Sequence, residues 1–143
     1  MVAFVLFCVW CAVLSWFDCA QRRLPNRLTL PGSVVIVVCG IVIGSARAVV
    51  VGAVLLAAAY LVVHLISARA MGAGDVKLAI GLGAAAALGG AHCWVLAAVV
   101  APIGTALAGL VVVLVRGRVG LQVAIPHGPF MCGATLIALW ASG

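Results

Sequence analysis

The chain opens with MVAFVLFCVWCAVLSWF, residues 1–17, an apolar stretch that carries no charged side chain until Asp18. The remaining sequence continues in the same way: 68% of the 143 residues are hydrophobic and only 7% are charged. So little charge excludes an ordinary soluble domain, because apolar runs of about 18 residues or more are typical of membrane-spanning helices. We therefore predict an all-α, polytopic membrane protein in which residues 1–143 form a single domain.

The apolar runs predict about six transmembrane helices joined by short loops. Their expected bounds are about 2–17, 28–44, 48–68, 76–88, 93–115 and 129–141. The first, fourth and sixth are short compared with the roughly 20 residues that a full crossing needs, which implies local thinning of the bilayer or helices that continue into polar loops. The fourth run is rich in glycine and alanine, and such small residues are typical of close helix packing.

The basic residues are distributed unevenly between the predicted loops. Arg47 falls on one side of the membrane, and the other seven fall on the opposite side: Arg22, Arg23, Arg27, Arg69, Lys77, Arg116 and Arg118. Because positively charged loops are retained in the cytoplasm, the seven are predicted to be cytoplasmic and both chain termini to be outside. The same pattern favours a retained first span over a cleaved signal peptide. The net charge of +6 then serves orientation and contact with membrane lipid, and no nucleic-acid partner is expected.

Six cysteines are present, at positions 8, 11, 19, 39, 93 and 132. Cys8 and Cys11 form a C-x-x-C pair, but the pair lies within the first apolar run and has no second pair to complete a zinc site. We interpret the cysteines as small apolar membrane residues, and no metal site is expected.

The sequence has only two acidic residues, Asp18 and Asp75. Each lies where an apolar run meets a basic loop, and the predicted topology places both at the cytoplasmic face. An ionisable group at or within a membrane indicates a functional site. Two simpler interpretations stay open: Asp18 could form an ion pair with Arg22 or Arg23, and Asp75 could cap the start of a helix.

Three short motifs accompany the acids. Residues 24–26 (LPN) follow Asp18 as a turn signal. Residues 72–77 (GAGDVK) place two glycines before Asp75, which allows the backbone to bend and another segment to approach closely. Residues 126–130 (PHGPF) predict a stiff, non-helical entry to the last span. His127 in this segment is a candidate acid or base, although a histidine without a partner here is more simply incidental.

In order, spacing and topology these motifs resemble the type IV prepilin peptidase family, polytopic aspartic proteases with a G-x-G-D motif. The resemblance covers nearly the whole chain. It implies that Asp18 and Asp75 are the catalytic pair and that no cofactor takes part. The supporting motif residues are Gly72, Gly74, Lys77, Pro25, Asn26, Gly128 and Pro129. His127 departs from the family pattern, which more often has phenylalanine before Gly-Pro-Phe.

The resemblance implies an aspartic endopeptidase of the bacterial plasma membrane. It would remove the short basic leader of a prepilin or pseudopilin at the cytoplasmic face, using water activated by the two carboxyl groups. Family members that also methylate the new N-terminus with S-adenosylmethionine carry a cysteine-rich cytoplasmic insert, which this sequence lacks, so cleavage alone is expected. Two alternatives stay open: a small proton-coupled transporter that uses the acids as a relay, and a non-catalytic membrane component of pilus assembly. The sequence leaves the particular substrate and the oligomeric state undetermined.

Overall fold

The computed structural model describes residues 1–67, 71–117 and 125–142. Over these ranges the chain forms six α-helices: α1 (Val2–Gln21), α2 (Asn26–Val42), α3 (Ala46–Ile66), α4 (Ala73–Leu88), α5 (Ala91–Arg116) and α6 (Gly128–Ser142). The all-α prediction is therefore confirmed. Helices α1, α3 and α5 are long and apolar enough to cross a membrane, whereas six spans and the outside position of both termini stay predictions. Arg69 and Arg118 of the predicted loops lie outside the described residues.

Four helices are longer than the apolar runs that predicted them, namely α1, α4, α5 and α6. Helix α1 has 20 residues and continues through Asp18 to Gln21, so its short apolar run belongs to a helix that continues into the polar segment, which is one of the two expectations for it. It ends where Arg22 adopts a left-handed conformation (φ 50°) and donates its backbone N–H to the carbonyl oxygen of Asp18. Helix α4 begins at Ala73, which places Asp75 within its first turn. Helices α4 and α6, with 16 and 15 residues, are short as expected.

Helix α4 lies at the centre of the bundle, where it packs against α2, α3, α5 and α6. Its small residues allow this packing. A Cβ atom on Gly83 would lie 2.5 Å from the carbonyl oxygen of Gly52 in α3, and a Cβ atom on Gly81 would lie 2.6 Å from the Oγ of Ser33 in α2. The glycines of the fourth run therefore serve close helix packing, as the sequence predicted.

The outer faces of the long helices are apolar. Leu6 of α1, Leu65 of α3 and Leu114 of α5 are 64%, 74% and 73% exposed. Exposed apolar area on this scale is unfavourable in water and is suited to contact with lipid chains.

The polar residues of the motifs gather at one end of the bundle. The end of α1 contacts the start of α6 through Asp18 and Gly128, and the start of α2 contacts the start of α4 through Asn26 and Lys77. This end also holds the end of α3, because Nδ1 of His64 in its last turn lies 2.7 Å from the carbonyl oxygen of Met71, just before α4. Beneath it, buried apolar side chains form the core, among them Leu14, Leu78, Leu82 and Met131.

Candidate active site

Asp18 lies in the last turn of α1 and is only 7% exposed. Its Oδ2 atom accepts a hydrogen bond of 2.8 Å from the backbone N–H of Gly128. Gly128 is the first residue of α6, and the first N–H groups of a helix have no partner within the helix. Arg22 and Arg23, the alternative ion-pair partners, are exposed. The contact that the structure gives the Asp18 carboxyl group is therefore a backbone amide.

Gly128 leaves no room for a larger residue beside this carboxyl group. A Cβ atom at position 128 would lie 2.8 Å from Oδ2 of Asp18 and 3.2 Å from its Cγ. The close approach of α6 to α1 at this point thus depends on glycine.

Asp75 lies in the first turn of α4 and is 8% exposed. Its Oδ2 accepts a 3.1 Å hydrogen bond from the backbone N–H of Gly72, the residue that caps the helix. Asp75 thus does cap α4, as the simpler interpretation of this motif proposed. Gly72 has a φ of −73°, which any residue can adopt, so its conformation does not require glycine. Gly74 instead permits a close approach, because a Cβ atom there would lie 3.1 Å from the Cβ of Leu24.

The two acids lie at the same end of the bundle, and the charge of Asp18 acts on the carboxyl group of Asp75. Both side chains are buried, where charges are screened less than in water. Two neighbouring carboxyl groups in such surroundings do not both ionise readily, so the state in which one is ionised and the other protonated is favoured over two charges. The arrangement can therefore supply one carboxylate base and one carboxylic acid.

His127 immediately precedes α6 and is 7% exposed. Its Nδ1 atom lies 2.6 Å from the Oγ1 of Thr105, and its Nε2 atom lies 3.1 Å from the hydroxyl oxygen of Tyr60. The interpretation of His127 as a histidine without a partner is therefore wrong. Burial lowers the pKa of His127 to about 4, so the imidazole is neutral at neutral pH.

Tyr60 and Thr105 were not predicted as site residues. Neither belongs to one of the sequence motifs, and Thr105 lies in a long apolar run. Tyr60 carried a usable signal, because it is the single tyrosine of the chain and a buried phenol needs a hydrogen-bond partner. The identity of that partner depends on the packing of α3 against the α6 entry.

The remaining motif residues lie at the starts of the helices around the acids. The Nζ of Lys77 donates a 2.9 Å hydrogen bond to Oδ1 of Asn26, which joins the starts of α4 and α2. The carbonyl of Pro25 accepts hydrogen bonds from the backbone N–H and the hydroxyl of Thr29 in the first turn of α2. Pro129 is the second residue of α6, where a missing N–H costs little.

The site contains carboxyl groups rather than a set of metal ligands. Across the described ranges, no three His, Cys, Asp or Glu side chains come together in a way that could hold a metal ion. The six cysteines are free thiols, and Cys11, Cys93 and Cys132 are buried among helices.

Fold and site together define a helical membrane protein with two buried carboxyl groups at one end of its bundle. A sequence model of the type IV leader peptidase family matches residues 5–114, which is most of the chain and includes both acids and the G-x-G-D motif. The chain therefore belongs to the type IV leader peptidase family, as the motifs predicted. Membership implies leader peptidase activity on a prepilin-like substrate. No curated protein and no solved structure gives a match.

Proposed function

We propose that the chain is an aspartic endopeptidase that removes the short basic leader of a prepilin-like substrate, with Asp18 and Asp75 as its catalytic pair. One observation carries the proposal. The only two acidic residues of this leader peptidase family member are both less than a tenth exposed and lie at the same end of the bundle. Burial of an acid without a compensating role is costly, which supports a shared function for the two.

The proposed chemistry is hydrolysis by activated water. The ionised carboxyl group takes a proton from water, and the water oxygen attacks the carbonyl carbon of the scissile peptide bond. The protonated carboxyl group donates a hydrogen bond to the carbonyl oxygen, which becomes negatively charged. The carbon–nitrogen bond then breaks as one of the two protonated carboxyl groups gives its proton to the leaving amine, which restores one ionised and one protonated group. Because the carboxyl groups titrate as a pair, the starting proton is not assigned to either residue.

The distribution of charge supports cleavage at the cytoplasmic face of a bacterial plasma membrane. The end of the bundle that holds the acids also holds five described basic residues, whereas Arg47 lies in the first turn of α3 at the other end. The five are Arg22, Arg23, Arg27, Lys77 and Arg116. A substrate with a cytoplasmic leader and a membrane-spanning helix would present the junction of these two parts at the acids.

The test is co-expression with a tagged prepilin-like substrate that carries a basic leader. Leader removal is followed by gel mobility and by mass spectrometry of the new N-terminus, for wild type, Asp18→Asn and Asp75→Asn. Asparagine keeps an oxygen that can accept from Gly128 or Gly72 but cannot serve as a base or share a proton, so both variants should reach the membrane and lose processing.

Two control variants are matched to the acids by position. Cys19→Ser changes the exposed neighbour of Asp18, and Ala73→Ser changes an exposed residue in the first turn of α4. Both should process the substrate at the wild-type level. Normal processing by either asparagine variant would refute the catalytic pair. A fall in membrane abundance without a loss of processing per molecule would instead support a structural role for the acids.

A further inference from the structure

A buried chain of hydrogen bonds connects three helices next to the two acids. Tyr60 of α3 contacts Nε2 of His127 at 3.1 Å, and Nδ1 of His127 contacts the hydroxyl of Thr105 in α5 at 2.6 Å. Tyr60 and His127 are 6% and 7% exposed. Buried polar groups are tolerated when each has a partner, and such networks hold their members in one arrangement.

The hydrogen atoms of this chain can be assigned from the contacts. The Thr105 hydroxyl has one hydrogen, and it donates this hydrogen to the carbonyl of Ala101 at 3.1 Å. With that hydrogen used, its oxygen can only accept, so Nδ1 of His127 must carry the hydrogen. A neutral imidazole has one donor and one acceptor nitrogen. The Nε2 atom is consequently the acceptor, and the Tyr60 hydroxyl donates to it. The network therefore fixes the imidazole ring in both tautomer and orientation.

Two members of the network, His127 and Tyr60, lie next to the two acids separately. On one side, His127 directly precedes Gly128, whose N–H holds Asp18 at 2.8 Å. The carbonyl of His127 also accepts from the backbone N–H groups of Phe130 and Met131, so the residue sets the first turn of α6. On the other side, Tyr60 belongs to the same buried cluster as Leu78, which lies one helical turn after Asp75 in α4.

We propose that Tyr60 and His127 are positioning residues of leader cleavage. They hold the Gly128 N–H in place, and through it they keep the Asp18 carboxyl group in a fixed position relative to Asp75. Neither residue needs to touch the substrate for this role. The inference rests on the proposed function, since it assumes that Asp18 and Asp75 act together. The inference adds two residues to the candidate active site: Tyr60 of α3, which belongs to no sequence motif, and His127, which directly precedes α6.

The experiment compares steady-state cleavage of a prepilin-like peptide by the full chain in lipid nanodiscs. The variants are Tyr60→Phe, which removes one hydroxyl, His127→Phe, which removes both nitrogens, and the double variant. We expect kcat to fall about tenfold to a hundredfold in each single variant, because small misplacements of catalytic groups have effects of this size. The KM should stay within about twofold, since these residues do not bind the substrate. The double variant should be no slower than the slower single variant, because the two residues act as a unit.

A matched pair of threonine variants provides the control. Thr105 and Thr135 both donate to the carbonyl four residues earlier, but within the part of the chain that the structure describes only Thr105 contacts a histidine. Thr105→Val should therefore lower kcat, and Thr135→Val should not.

The outcomes separate this inference from the proposed function. Wild-type kcat in Tyr60→Phe, with processing lost in Asp18→Asn and Asp75→Asn, would overturn the positioning role and leave the catalytic pair intact. Full activity in the asparagine variants would overturn both. A multiplicative loss in the double variant, or a rise in KM at constant kcat, would also contradict the positioning role. If His127→Phe does not fold, Tyr60→Phe decides alone.

Discussion

Replacing Gly128 with alanine should displace Asp18 without otherwise disturbing the bundle. The added Cβ atom would lie 2.8 Å from Oδ2 of Asp18, whereas ordinary contacts begin at 3.4 Å. The carboxyl group or the start of α6 must therefore move by about 0.6 Å, and the 2.8 Å hydrogen bond from the Gly128 N–H lengthens or breaks. A hydrogen bond to a charged group contributes about 1.5–3 kcal/mol. Since 1.4 kcal/mol corresponds to a factor of ten in rate, we expect kcat to fall by about tenfold to a hundredfold.

The assay is cleavage of a prepilin-like substrate by the purified full chain, with kcat and KM measured for Gly128→Ala and Gly133→Ala. Gly133 is the matched control, because it lies in the same helix and a Cβ atom there meets nothing within 4 Å. Alanine is the better helix former by about 1 kcal/mol, so Gly133→Ala should be at least as stable as wild type and equally active. Wild-type kcat in Gly128→Ala would refute the argument that this hydrogen bond positions the acid.

Two further predictions concern stability. Gly83→Ala places a Cβ atom 2.5 Å from the carbonyl oxygen of Gly52, which forces α3 and α4 apart. Thermal unfolding in detergent should show that the variant is less stable by roughly 1–3 kcal/mol. An unchanged melting temperature would contradict this close packing of the two helices. The buried imidazole of His127 has a pKa of about 4 against an ordinary 6.5. Its contribution to the free energy of unfolding is therefore present above pH 6.5 and is lost as the pH falls towards 4. Between pH 7 and pH 5 the free energy of unfolding of the wild type should fall by about 2 kcal/mol more than that of His127→Phe. Equal falls in the two proteins would refute this.

The fold was predictable from the sequence to the extent that hydrophobicity determines it. Apolar runs located all six helices, because a backbone in lipid must satisfy its hydrogen bonds within the helix. The helix ends were less predictable, since they depend on local contacts. Helix α1 continues past the last apolar residue of its run until Arg22 adopts a left-handed conformation. Helix α4 begins early because the Gly72 N–H finds a partner in Asp75.

The candidate site was predictable in part. The scarcity of acids pointed to Asp18 and Asp75, and the loop charges placed them at one face. The partners of the acids were not predictable, because they depend on how helices distant in sequence pack together. The arginines following Asp18 were plausible partners by proximity, yet the structure gives it the N–H of Gly128 from the far end of the chain. His127 illustrates the same limit, since its two partners come from α3 and α5.

The kind of partner that each acid has bears directly on the proposed chemistry. An arginine beside a buried carboxyl group favours the ionised form strongly, and the pair would then resist sharing a proton. Asp18 and Asp75 instead accept from the backbone amides of Gly128 and Gly72. A backbone amide at a helix start stabilises a carboxylate through a hydrogen bond and a partial charge, without a full opposing charge. The ionised and protonated forms of each acid therefore stay closer in free energy. Because a two-acid hydrolysis needs one group of each form and an exchange between them during turnover, backbone donors suit this pair better than arginine.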